Sequence, residues 1–84
     1  MTKLPFLDIE SNIVDNIYEE YRRASKLFPD FHSPHEGYAV ILEELDELWD
    51  EIRNGENKSR MQKEAVQVGA MALRFIMNIC LTDT

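Results

Sequence analysis

Cysteine occurs once in these 84 residues, at Cys80, so no internal disulfide can form and a fold held by disulfide staples is excluded. Glycine and proline, three of each, form no low-complexity tract or linker, and no repeat is present. Bases are scarce. Nine Lys and Arg stand against 16 Asp and Glu, and the net charge of -7 repels the phosphates of nucleic acid and an anionic membrane surface. Long apolar runs are missing as well: Arg74 and Asn78 interrupt the most apolar segment, well short of the roughly 18 to 20 residues that span a bilayer. No arginine-flanked apolar leader is read at the N-terminus. With the lone cysteine, this gives the expectation of a soluble protein in a reducing, cytoplasmic setting.

The chain reads as one domain over residues 1–84, with residues 1–8 either a loose N-terminal segment or packed through Leu4, Phe6 and Leu7. A domain this small gains only a few kcal/mol of net stability from its own core, so oligomerisation is expected. A small anionic ligand stays compatible with the charge, because divalent cations held by acids reverse the local sign.

Three helices account for nearly all of the sequence, and no alternating strand pattern competes with them. The first is expected from Asp8 or Glu10 to Phe28, with Ile13, Ile17, Tyr21, Ala24 and Phe28 on one face and Pro29 as its stop. Ser33, Pro34 and Glu36 then write a capping box with proline at the first helical position. Helix two carries a stripe of Ile41, Leu45, Leu48 and Ile52, read as buried, and ends at Asn54-Gly55. Ser59 and Gln62 are read as a second capping box. Helix three follows to about Cys80, with Met61, Ala65, Val68, Ala72, Phe75 and Ile79 on one face. Gly37 and Gly69 mark expected points of close approach. The fold expected is all-α: a three-helix protomer of antiparallel helical hairpins that completes a four-helix-type core on oligomerisation.

What is abundant is acid. The stretch EELDELWDEI, residues 43–52, holds six carboxylates in ten positions. At roughly 100° per residue, Glu44 and Glu51 border the apolar stripe, Glu47 lies just beyond them and Glu43 further round, while Asp46 and Asp50 point away. On helix three, Glu64 borders the apolar face and Gln67 stands one turn on. If the helices pack side by side, Glu43, Glu44, Glu47, Glu64 and Gln67 share one groove. Like charges three or four residues apart cost about 0.2 to 0.5 kcal/mol per pair on an exposed helix, and no base lies between positions 36 and 52 to offset them. A hard divalent cation offsets them well, since Mg²⁺ takes oxygen ligands from one or two carboxylates plus water and phosphate. The competing reading is a solvated acidic face. The acid on the next helix is what a bridging metal site needs and a solvated surface does not.

Glu43-Glu44-x-x-Glu47, followed after sixteen residues by Glu64-x-x-Gln67, resembles the EExxE and ExxD signature of the MazG-like, all-α nucleoside triphosphate pyrophosphohydrolases. The flanking HEGYAVILEELDELWDEI and KEAVQVGAMALRFI are similar to the short members from phages and mobile elements. The resemblance covers about residues 15–80. It implies hydrolysis of a nucleoside triphosphate to the monophosphate and pyrophosphate, with Glu43, Glu44, Glu47 and Glu64 ligating or orienting Mg²⁺, or Mn²⁺ in its place, and a homodimer or homotetramer as the working form. Gln67 stands where the family has Asp, which removes a charge and leaves a carbonyl oxygen as the fifth ligand. That departure keeps a second reading open: a helical oligomer without turnover that binds a nucleotide or a partner.

Arg74, Asn78 and Phe31 complete the candidate site as substrate contacts, Arg74 through a guanidinium suited to phosphate and Phe31 by stacking on a base. Each has a structural alternative: packing for Phe31, a salt bridge to an acid for Arg74. His32 and His35 lack zinc-site spacing and are read as surface or capping residues. Cys80 is read as inert core, and Trp49 as the anchor of a helix or subunit contact.

Overall fold

The computed structural model describes residues 7–82. Helix α1 runs Leu7–Leu27, α2 Pro34–Arg53 and α3 Lys58–Phe75, and α3 continues through a π-helical segment, Ile76–Cys80. No strand occurs among the described residues, so the all-α expectation holds. Leu7 and Asp8 already belong to α1, one or more residues ahead of the expected start; the packing expected of Leu4 and Phe6 lies outside the described residues.

Local chemistry sets the boundaries. Asp8 and Glu10 sit in the first turn of α1 and Lys26 in its last, each favourable to the helix dipole. Ser33 is the N-cap of α2, its Oγ accepting from the Glu36 amide at 3.1 Å, and Pro34 takes the first helical position. The Glu36 carboxylate reaches back to the His32 amide at 3.0 Å, one residue earlier than a standard capping box. At the far end, Gly55 adopts φ 129° and Glu56 φ 56°, so the chain reverses within two residues; only glycine takes the first of these without strain. This early reversal corrects the expected second cap. Asn57, not Ser59, is the N-cap of α3, accepting from the Arg60 amide at 3.0 Å.

Helix α3 is the central element, packed against α2 on one side and α1 on the other. Gly69 is its contact with α1: a Cβ there would lie 3.3 Å from Ile17 Cδ1. Gly37 is where α2 meets the end of α3, with the Phe75 ring against its Cα. Since α3 is flanked on two sides, its most buried positions are Ala70, Met71 and Arg74. They join Ala24 and Phe31 in the core, with Tyr21, Val40, Ile41, Phe75 and Ile79 packed around them.

The molecule is flat, 42 × 41 × 19 Å, and 19 Å is less than two helix diameters of about 10 to 12 Å each. The stripe expected to be buried on α2 is therefore split. Ile41 and Leu48 face α3 and are half-buried, whereas Leu45 is 48% and Ile52 36% exposed. Cys80 is exposed too, correcting its reading as core; in the widened π turn Ile79 is the residue that packs on the core.

Candidate metal centre

Helix α2 supplies Glu44 and Glu47, and α3 supplies Glu64. One carboxylate oxygen from each lies within 4.8 Å of the others. Two features bring them together. The i, i+3 spacing puts Glu44 and Glu47 on one flank of α2, and the short turn at residues 54–57 folds α3 back so that Glu64, in its second turn, meets that flank. Glu44 and Glu64 are half-buried and Glu47 is exposed.

Electrostatics records the crowding. Burial, then the negative charge and hydrogen bonding of Glu47, then Glu64 and Glu43, push the Glu44 carboxyl up to about 7. The Glu64 carboxyl is raised by burial first and by Glu47 second, with Glu51 adding to it and Lys63 opposing. The flank thus concentrates negative charge on three close carboxylates, two of them half-buried, with Lys63 the basic side chain whose charge reaches Glu64. Three hard oxygen donors within reach of a single point, in want of positive charge, match Mg²⁺ or Mn²⁺. Imidazole and thiolate, which suit zinc, are absent from the cluster.

Glu44 also lies on the wall of a cleft of about 510 Å³ between α1, the 28–33 loop, α2 and α3, within the usual range for small-ligand sites. Glu43 and Gln67 line this cleft near Glu44, and Phe28, Val40 and Met71 give it an apolar side. Of the five oxygen ligands expected from the sequence, the structure brings Glu44, Glu47 and Glu64 together, while Glu43 and Gln67 stand on the adjoining wall. Gln67 turns toward α1. The Glu20 carboxyl there is held below the usual range by hydrogen bonding from Arg23 first, partly opposed by burial, with Gln67 adding to the effect. Arg23 Nε donates to Glu20 Oε2 at 2.9 Å. Sequence reasoning missed Glu20 and Arg23; their i, i+3 pairing on the flank of α1's apolar face was the available signal.

Arg74, Asn78 and Phe31 are engaged with one another and with the loop. Phe31 is 7% exposed and Arg74 2%. The Arg74 guanidinium stacks over the Phe31 ring at 4.6 Å and donates to the carbonyls of Pro29 at 2.8 Å and Phe28 at 3.5 Å. Asn78 Oδ1 accepts from the Phe31 amide at 3.0 Å. Arg74 meets loop carbonyls where an acid had been the expected structural partner. Arg74 and Phe31 still border the cleft, and Phe28, 57% exposed, stands at its mouth. His32 and His35 are exposed, as read.

Fold and site together define a small all-α protein whose central hairpin carries a three-carboxylate flank beside an aromatic-lined cleft. Comparison with protein-family models, curated proteins and solved structures finds no match. Among the described residues, no helix is long and apolar enough to cross a membrane.

Proposed function

We propose that this protein is a MazG-like, Mg²⁺-dependent nucleoside triphosphate pyrophosphohydrolase that works as a homodimer or homotetramer, converting a (d)NTP and water to the (d)NMP and pyrophosphate. One observation carries the reading: Glu44, Glu47 and Glu64 converge from two helices to within 4.8 Å, and Glu44 belongs at once to that trio and to the cleft wall.

In this reaction the oxygen of water forms a bond to the α-phosphorus while the bond from that phosphorus to the α,β-bridging oxygen breaks, and pyrophosphate leaves with the electron pair. The cation would supply charge neutralisation for the phosphate oxygens. Glu44, Glu47 and Glu64 would hold it. A carboxylate of the flank accepts the proton of the attacking water. Glu43, on the cleft wall, keeps the pocket acidic and disfavours a triphosphate that arrives without its cation. Phe28 and Val40 offer the base an apolar surface.

Gln67 favours the second reading, a helical oligomer that binds a nucleotide or partner without turnover. Its amide helps stabilise the Glu20 carboxylate, a task an Asp could not perform. The two readings separate on incubation with a panel of canonical and modified (d)NTPs and Mg²⁺. Pyrophosphate release that is lost in Glu47→Gln supports hydrolysis. No release from any substrate, in the wild type and in Gln67→Asp, rejects it.

A further inference from the structure

Two hollows meet at Arg23 and Gln67. One is the cleft that holds Glu44, and the other is a groove of about 470 Å³ between α1 and the first half of α3. Arg23 and Gln67 are the side chains that line both. Gln67 follows Glu64 by one helical turn, which sets their Cβ atoms about 5 to 6 Å apart. The groove therefore opens beside the carboxylate trio.

The two sides of this junction carry opposite charge. The α2 wall of the cleft presents Glu36, Glu43 and Glu44. On the α1 side, Arg22, Arg23 and Lys26 border a shallow hollow against one acid, Glu19. Lys63 stands in the α1–α3 groove, and its charge reaches both Glu20 and Glu64. In a chain of net charge -7 this is a local reversal of sign. A triphosphate carrying a divalent cation has the same polarity: the cation suits the carboxylates, and the outer phosphates suit the bases.

Arg23 has the geometry to receive those phosphates. Glu20 takes one edge of its guanidinium: Nε donates to Oε2 at 2.9 Å and to Oε1 at 3.1 Å, and Nη2 also donates to Oε1. That leaves the edge formed by Nη1 and the second hydrogen of Nη2, on a side chain that is 56% exposed. Two parallel N–H groups on such an edge match a phosphate bidentately. Gln67 adds to Arg23 in holding the Glu20 carboxyl low, so the pair is braced from α3, unlike an ordinary exposed pair at i, i+3. The other base on the cleft wall, Arg74, is buried and already bonded to loop carbonyls.

We propose that Arg23, positioned by Glu20, binds the β- and γ-phosphates of the ligand, and that the α1–α3 groove with Lys63 receives them. The groove is then where pyrophosphate rests after cleavage. This rests on the phosphate-ligand part of the reading above and adds to it the residues that grip the leaving group.

Isothermal titration calorimetry with magnesium tripolyphosphate tests the proposal without assuming a base or turnover. The wild type should bind it. Arg23→Gln should weaken binding about 10- to 100-fold, as expected for hydrogen bonds between charged groups, and Lys63→Gln about 3- to 10-fold. Arg23→Lys should recover part of the loss, since lysine keeps the charge but not the fork. Arg22→Gln, which removes the same charge one residue away, should leave the affinity unchanged. Mn²⁺ binding without phosphate should be at least as tight in every variant as in the wild type, which shows that each is folded and keeps its carboxylates. Unaltered tripolyphosphate affinity in Arg23→Gln overturns the proposal. So does an equal loss in Arg22→Gln, because net charge and not the groove then governs binding. Should Arg23→Gln fail to fold, Lys63→Gln decides the matter, since unaltered affinity there moves the phosphates out of the groove. A wild type that binds Mn²⁺ but no tripolyphosphate overturns the phosphate-ligand reading and this proposal with it, whereas binding indifferent to Arg23 overturns this proposal alone.

Discussion

Replacing Glu44 with Gln keeps the shape of the side chain and removes one negative charge from a crowded flank, so stability and cation binding should move in opposite directions. The Glu44 carboxyl is raised from 4.5 to about 7 by burial and by Glu47. A folded-state value above the unfolded one means that the favourable contribution is complete below about 4.5 and is lost as pH climbs toward 7. At about 1.4 kcal/mol per pH unit, the nominal cost of ionised Glu44 at pH 8 is about 3 kcal/mol. The flank is open to water on one side, and solvent screening reduces this to on the order of 1 kcal/mol. In a domain of this size that is roughly 4 to 8 °C in Tm. Thermal unfolding with a chelator present should therefore find Glu44→Gln more stable than wild type by that margin at pH 8, and by little at pH 4.5. With saturating Mg²⁺ the order should reverse, because a bound cation stabilises only the chain that holds it. Equal shifts at both pH values, or a gain unaffected by Mg²⁺, would refute the reasoning.

Arg74→Met keeps the volume but removes the donors to the Pro29 and Phe28 carbonyls; urea unfolding should show a loss of about 2 to 4 kcal/mol. Gly37→Ala would set a Cβ 2.5 Å from Phe75 Cδ2 and 3.1 Å from Phe31 Cδ2, and this overpacking should cost about 1 to 3 kcal/mol in the same assay. Asn57→Ala deletes the α3 cap and should cost about 1 kcal/mol, while Ser59→Ala, inside the first turn, should change stability by only a few tenths of a kcal/mol. Gln67→Asp places a carboxylate beside Glu20, whose charge Gln67 now supports; it should lower the metal-free Tm and increase the stabilisation Mg²⁺ gives.

The three helices were legible because their signals are local. Ser33-Pro34 and Asn54-Gly55 mark boundaries whatever the tertiary structure. The acidic flank was legible for a related reason: at fixed helical spacing Glu44 and Glu47 must share a side, and a short turn brings Glu64 to them. Properties that depend on a third element were not legible. Periodicity identifies an apolar lane on α2 but not which part α3 covers, so Leu45 and Ile52 read as buried alongside Ile41 and Leu48. Arg74 reads as a phosphate contact or a salt bridge, since nothing in its neighbourhood announces two carbonyls more than forty residues away. Gln67 and Glu20 sit on helices joined through α2, and their proximity follows only from α3 being central. Ser59 lost its expected cap because Gly55 and Glu56 complete the reversal two residues sooner.

The central claim is that Glu44, Glu47 and Glu64 form one divalent-cation site serving a phosphate ligand. Electron paramagnetic resonance of Mn²⁺ tests it directly, since the six-line signal of the free aqua ion is lost on binding. Titration of the wild type should reveal one site per chain, displaced by Mg²⁺, tightened by a non-hydrolysable nucleoside triphosphate and abolished in Glu47→Gln. A signal undiminished by the wild-type protein, with and without nucleotide, or a loss equal in Glu47→Gln, would contradict the account.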